Sequence, residues 1–381
     1  MNDRNRKTDT NEIDSRKQPL WYSGRYFDYP LFGIVLGLVL FGLVMVYSTS
    51  SYRADELYDD STYFAKRQLV FELVALVGMF LVSKIDYRRY ARYSKYFLYV
   101  AIALLVLVYI IGSASHGSTR WIYIGAFGFQ PSEFAKLALI VYTADICTRK
   151  PRSLNTIKGL AKMLLLPLIT IVLIAIENLS TAIICFGIVM IIVFVASPKN
   201  WHFILMGVLG ILMCVVFIAT AGYRADRIRI WLAPEKYDDG YQTMQSLYAI
   251  GSGGFFGRGL GNSIQKMGFI PESHNDMIFS VICEELGLFG AVLTIIMFIL
   301  LIYRCTVLAI NSGDRFGGLI AVGVMAHIAV QALINISVVT NTIPPTGVPL
   351  PFISYGGSSI FFLLLEMGLM FAVARQIKPG R

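Results

Sequence analysis

What most constrains this chain is the recurrence of long apolar runs, each ended by charge, proline or a polar turn. They lie at about 30–47, 68–83, 96–111, 133–146, 160–176, 179–196, 201–221, 277–303, 319–339 and 351–373. A helix needs roughly 20 residues to cross the hydrocarbon core of a bilayer, and most of these runs approach that length. Composition agrees: 15% of residues are charged and mean hydropathy is +0.63, against about 25% charged in soluble domains. The expected fold class is an all-α integral membrane protein with about ten transmembrane helices.

Residues 1–27 are polar and aperiodic and read as a disordered cytoplasmic tail, ahead of a polytopic membrane domain over 28–381. No cleavable signal peptide is expected, because the first apolar run begins only after Trp21 and has no small-residue cleavage site. Basic residues set the orientation. Lys84, Arg88, Arg89, Arg92, Lys95, Arg149, Lys150, Arg152, Lys158 and Lys162 crowd into short loops on one side, which the positive-inside rule makes cytoplasmic. Both termini then fall in the cytoplasm, and one large loop, 221–277, between the seventh and eighth helices, faces outward. The net charge of +9 is accounted for by this loop asymmetry, and nucleic acid is not an expected partner. Cys147, Cys185, Cys214, Cys283 and Cys305 lie in or beside apolar runs without paired spacing, so neither a disulfide framework nor a metal site is expected.

The outer loop is the one long polar island, laced with glycine from Gly240 to Gly290. Its apolar residues, among them Trp231, Tyr241, Leu247, Phe255 and Phe256, are too many for a free loop. Short amphipathic helices resting on the bundle or at the headgroups are expected there. Arg224, Arg227 and Arg229 open it, and clustered guanidinium groups at a membrane face suit pyrophosphate or lipid headgroups.

Ionisable residues inside apolar runs cost about 2.5 kcal/mol or more each and mark function. Glu133 and Lys136 are spaced to share a helix face and pair, either neutralising one another or presenting Lys136 to an anionic ligand. Arg120 lies just outside that helix and suits a phosphate. Glu284, Glu285 and Glu366 are further buried acids, while His327 and Gln331, at i and i+4, fit interhelical hydrogen bonds. Asp276, directly before the run from Met277, has two readings. It can cap the helix that follows, or it can act as a general base at the membrane–water boundary with His274 nearby.

Four motifs carry a family resemblance: Ser118-Thr-Arg-Trp-Ile122, Gln130-Pro-Ser-Glu-Phe-Ala-Lys136, the segment from Gly240 to Gly290, and Thr346-Gly-Val-Pro-Leu-Pro-Phe-Ile-Ser-Tyr-Gly-Gly-Ser-Ser359. Through them the chain resembles the SEDS proteins (shape, elongation, division and sporulation), polytopic enzymes that polymerise peptidoglycan. Gly259-Leu-Gly-Asn-Ser-Ile-Gln-Lys266 resembles the FtsW and SpoVE branch rather than the RodA branch. The resemblance implies that Asp276 is the essential acid and that Arg120, Glu133 and Lys136 contribute to substrate binding. Arg227, Arg229, Lys266, His274 and Ser358 join them as candidates. Two positions depart from the family pattern: a Gln-Pro-Asp turn is here Ile176-Glu-Asn178, and His-Thr-Asp is here His274-Asn-Asp276.

What the resemblance implies for activity is inverting β-1,4 glycosyl transfer between lipid II units, with release of undecaprenyl pyrophosphate, in cell division or sporulation. No cofactor is required by the sequence, and a divalent cation (Mg or Mn) is compatible with it. Implied partners are lipid II, a class B penicillin-binding protein transpeptidase, divisome proteins and membrane lipids. The implied location is the bacterial plasma membrane with the active site outward. A lipid II flippase and a non-catalytic division scaffold are the alternatives.

Overall fold

In a computed structural model, residues 27–115, 118–124, 127–199, 201–219 and 222–377 are described. The helices are α1 (Tyr29–Tyr58), α2 (Tyr63–Lys84), α3 (Arg88–Ile111), α4 (Pro131–Arg149), α5 (Ile157–Glu177), α6 (Leu179–Ala196) and α7 (Trp201–Ala219). They continue as α8 (Gly222–Leu232), α9 (Tyr241–Ser252), α10 (Ile278–Ile310), α11 (Arg315–Val339) and α12 (Gly357–Ala374). The ten longest coincide with the ten apolar runs. Seven of them (α1, α3, α5, α6, α10, α11 and α12) are long and apolar enough to cross a membrane. The chain is a multi-pass membrane protein. In α2 and α4 the apolar run is diluted by charge, with Lys66, Arg67 and Glu72 in the first and Glu133, Lys136 and Asp145 in the second.

One departure from an all-α fold is a three-stranded antiparallel sheet between α3 and α4, made of β1 (Ser113–Ser115), β2 (Ser118–Ile124) and β3 (Phe127–Phe129) in that order. Gly128 opposes Tyr123 across β2 and β3, and a side chain at 128 would press on the rings of Trp121 and Tyr123 at 3.2 Å. A sheet this short has no apolar alternation long enough to be distinguished from a loop. The polar tail called at 1–27 lies outside the described residues except for Phe27.

Helix ends are fixed by local chemistry. Asp28 accepts from Leu31 N at 2.9 Å to cap α1, and its carboxylate also holds Arg304 of α10 at 2.9 Å. Asp314 caps α11 through Gly317 N at 2.8 Å and pairs with Arg88 of α3 at 2.8 Å. Asn178 caps α6 through Thr181 N. Each acid satisfies orphan amides and ties one helix end to another helix.

α4 and α12 are the most enclosed helices, with α11 next. α11 packs against α4, α6, α10 and α12, and α2 packs along α12. The outer faces of α2, α3, α7 and α10 expose Leu, Val, Ile and Phe, as lipid-facing helices do. All five cysteines are unpaired, four of them buried.

The 221–277 segment is not a free loop. α8 and α9 are its short helices, as expected. Beyond α9 the chain turns at 253–261 and returns along α10 to Asp276. α10 is broken at Gly287, whose φ of 65° and ψ of −163° interrupt the helix.

Candidate active site

The site is built from one face of α11, the irregular connection 340–356 and the turn 271–277. His327, Gln331 and Asn335 recur every four residues and so share a face of α11. Gln331 Nε2 donates to the Pro349 carbonyl at 3.0 Å. That fixes Oε1 toward Lys136 Nζ at 3.0 Å and His327 Nε2 at 2.9 Å. A carbonyl can only accept and an ammonium can only donate, so the amide orientation is determined and His327 Nε2 must carry a hydrogen. His327 Nδ1 then shares a single proton with Glu366 Oε2, 2.8 Å away.

Lys136 is also paired with Glu133 at 2.9 Å, and both side chains are almost fully buried. The result is a continuous polar chain, Glu133–Lys136–Gln331–His327–Glu366, through the apolar interior of α4, α11 and α12. His327 and Gln331 make the interhelical bonds expected from their spacing.

One turn further along α11, Asn335 Nδ2 donates to two carbonyls at once: Asp276 O and Val348 O, both at 2.7 Å. This joins the turn that carries Asp276 to the proline-rich connection. Gly347 in that connection has φ +66°, and a Cβ built there would lie 3.7 Å from Asp276 Oδ2. The carboxylate therefore lies beside Gly347, where the positive φ, rather than lack of space, favours glycine. α10 begins at Ile278, and its N-cap is Met277, which makes no side-chain capping bond. Asp276 stands one residue before that cap, close enough to the helix start to meet its dipole, and this placement is compatible with a role as base as well.

His274 is buried between the rings of Phe64 and Tyr355, with centroids 4.8 and 5.5 Å away, and its carbonyl accepts from Tyr355 N at 2.9 Å. Burial pulls its pKa down to about 4, so the ring is neutral at ordinary pH and Nδ1 has no hydrogen-bond partner. It supports the Asp276 turn from beneath.

The remaining candidates are dispersed. Arg227 of α8 is exposed and donates to the Pro345 carbonyl at 3.2 Å, on the same connection as Gly347. Trp231 Nε1 ties α8 to Asn341 O at 3.0 Å. Arg229 points elsewhere and meets Asp226 at 3.3 Å on the surface. Arg120 Nη2 donates to the Glu177 carbonyl at 2.9 Å. With Gln130, Ser132, Glu177 and Asn178, Arg120 lines a small cleft at the head of α4. Ser358 Oγ accepts from Gln130 N at 3.2 Å, joining α12 to α4.

Lys266 is buried and held by Glu285 at 2.7 Å, with Ser48 Oγ of α1 bonded to both. Its ammonium is occupied by this pair. Glu284 next to it accepts from Ser263 Oγ and from the amides of Ile264 and Gln265. The two acids of α10 clamp the returning strand of the outer segment.

Sequence reasoning missed Asn335 and Gly347. Asn335 continues the 327, 331 spacing by four more residues, a signal that was available. The approach of Gly347 to Asp276 depends on tertiary contact and leaves no local trace. Among the described residues, no group of three or more His, Cys, Asp or Glu side chains could hold a metal ion.

Comparison with known proteins places the chain in a family. Residues 29–379 match the model of the FtsW/RodA/SpoVE family, described as cell cycle proteins. The chain is 40% identical over 348 residues to stage V sporulation protein E of Bacillus subtilis, covering 90% of this chain and 95% of that one. It is 38% identical over 358 residues to a probable peptidoglycan glycosyltransferase FtsW of Trichlorobacter lovleyi, covering 92% and 94%. Among solved structures it resembles a chain from a peptidoglycan synthase complex that coordinates polymerization and crosslinking. The TM-score is 0.78 at 27% identity, over 93% of this chain and all of that one. It also resembles the rod shape determining protein RodA of Thermus thermophilus, with TM-score 0.69 at 26% identity over 95% of this chain and all of that one. By sequence and by architecture, the chain belongs to the FtsW/RodA/SpoVE family.

Proposed function

We propose that the chain is a peptidoglycan glycosyltransferase that polymerises glycan strands from lipid II in cell division or sporulation. The observation that carries this reading is the Asp276 carboxylate, held beside the bare backbone of Gly347 on a connection that Arg227 and Asn335 also grip. A carboxylate facing this connection and a guanidinium bonded to its Pro345 carbonyl offer what the reaction needs: one base, and positive charge for a diphosphate leaving group.

In the transfer, Asp276 takes the proton of the acceptor's GlcNAc 4-hydroxyl. The O4–C1 bond forms as the bond from C1 to the diphosphate oxygen breaks, and undecaprenyl diphosphate leaves. A single displacement at an α-linked donor gives the β-1,4 product, so configuration inverts. Because the leaving group is already activated, the paired carboxylates of a glycoside hydrolase are unnecessary. Arg227 and Arg120 are the cations proposed to meet the diphosphate. Lys136, engaged by Glu133 and Gln331, holds α4 against α11 beneath them.

A divalent cation is compatible with this scheme in one form. Asp276 would be the residue of this chain to hold it, and the cation would supply positive charge to the departing diphosphate. The Asp276 end of the bundle faces outward across the bacterial plasma membrane, and a penicillin-binding transpeptidase of class B is the partner, alongside divisome proteins. The relatives named as glycosyltransferases and the resemblance to a synthase complex support this reading.

The test uses the purified chain with its transpeptidase in detergent, where no second compartment exists. Glycan chains formed from lipid II are the expected result. Lipid II crossing a vesicle bilayer without any polymer in detergent would favour a flippase instead.

A further inference from the structure

The geometry points to a second membrane contact: the tip of the outer segment around Phe255 and Phe256 dips into the outer edge of the bilayer and anchors the Asp276 turn at a fixed height. Three observations converge on it.

The first is backbone pairing. The break at Gly287 leaves the Glu284 and Glu285 carbonyls, and the Leu288 and Phe289 amides, without their partners inside α10. The tip supplies all four. Arg258 N and Gly259 N donate to Glu284 O and Glu285 O at 2.9 Å each, while Leu288 N and Phe289 N donate to Gly254 O and Phe255 O at 2.9 and 3.1 Å. Irregular backbone is tolerated at membrane depth only when its polar groups are satisfied by protein. The approach is close enough to require glycine: a Cβ at Gly257 would lie 2.1 Å from Glu285 O, and one at Gly287 would lie 2.4 Å from Gly257 N.

The second is the level of the tip. Asp28, at the start of α1, pairs with Arg304 in the last two turns of α10, and Ser48 bonds Glu285 beside the break in α10. On both helices the two contacts are about 20 residues apart, the span of the hydrocarbon core. The tip, bonded to residues 284–289, therefore sits at the far edge of that core.

The third is its surface. Phe255 and Phe256 are 70% and 81% exposed, and they adjoin Leu288 and Phe289, at 49% and 62%. From there the same apolar face continues down α10 through Val292, Ile296 and Ile299. The nearest charge, Arg258, is drawn back to Glu284 at 3.6 Å. Continuity with the lipid-facing side of α10 makes acyl chains the occupant. About 10 residues of helix, or roughly 15 Å, then separate the bilayer edge at Gly287 from Asp276. This inference stands apart from the glycosyltransferase reading, since it concerns only where the segment meets lipid.

The test is collision accessibility of a nitroxide on the full chain in lipid nanodiscs. Labels are placed at Phe256→Cys, at Phe289→Cys as the lipid-facing reference and at Glu235→Cys as the aqueous reference, with the unmutated chain subtracted for its own cysteines. The expected ratio of oxygen to nickel-chelate collisions at 256 matches that at 289 and is several-fold above that at 235. A ratio equal to that at 235 would place the tip in water, and low access to both reagents would mean protein covers it; either result overturns the proposal. Leu260→Cys, on the same turn, provides an independent reading if the label at 256 disturbs the fold.

Discussion

Asn335 reaches across from α11 and holds the main chain of Asp276 and of Val348 with the two hydrogens of one carboxamide, at 2.7 Å each. The main chain at the candidate base is therefore held by a side chain of α11. Replacing Asn335 with Leu keeps the volume and removes both bonds. Misplacement of a reacting group by about 1 Å costs on the order of 100-fold in rate. The expected outcome is a fall in kcat of about 10–100-fold with KM little changed, read from lipid II polymerisation. A KM effect alone would make Asn335 part of the substrate site instead.

The buried Glu133–Lys136 pair gives a stability prediction. Removing one partner leaves a buried charge unmatched and costs about 3–5 kcal/mol, whereas removing both is far milder. Lys136→Met alone should lower the thermal unfolding temperature sharply, and Glu133→Gln with Lys136→Met should recover most of it. Activity in the double variant then reports whether Lys136 also contacts substrate.

The same logic applies to Lys266 and Glu285. If the pair serves to clamp the returning strand, Lys266→Met should lose stability and polymerisation together. Adding Glu285→Gln should restore both in substantial part. Restored stability with no restored polymerisation would assign Lys266 to the substrate.

Much of this was legible in the sequence, and the limits have physical causes. Ten apolar runs predicted about ten transmembrane helices; each run coincides with a long helix, because hydrophobic length is a property of a single segment, and seven of these are long and apolar enough to span. The same reasoning found His327 and Gln331, whose four-residue spacing is local to α11. The sheet at 113–129 was hidden because its strands are too short to show a period. The occupied state of Lys266 was hidden because Glu285 and Ser48 come from other parts of the chain. Asp276 had two local readings that are compatible with each other, and its place one residue before the Met277 cap leaves both standing.

His274 sets a pH dependence. Burial lowers its pKa from 6.5 to about 4, so between those values the unfolded chain binds a proton that the folded chain refuses. Stability from this group is full above about 6.5 and is lost as pH falls toward about 4. Unfolding midpoints measured across that range should drop with acid. In His274→Phe, which keeps the ring contacts with Phe64 and Tyr355, this part of the decline should disappear.

The most direct measurement is polymerisation of lipid II by purified chain carrying Asp276→Asn, assayed beside the unmutated chain with the same transpeptidase partner. Asparagine keeps the shape of the side chain beside Gly347 but cannot take up the acceptor's proton. Loss of a general base costs roughly 100- to 10,000-fold. The account predicts glycan chains from the unmutated protein and at most trace polymer from Asp276→Asn at an unchanged unfolding temperature. Polymer at the unmutated rate from Asp276→Asn would contradict it.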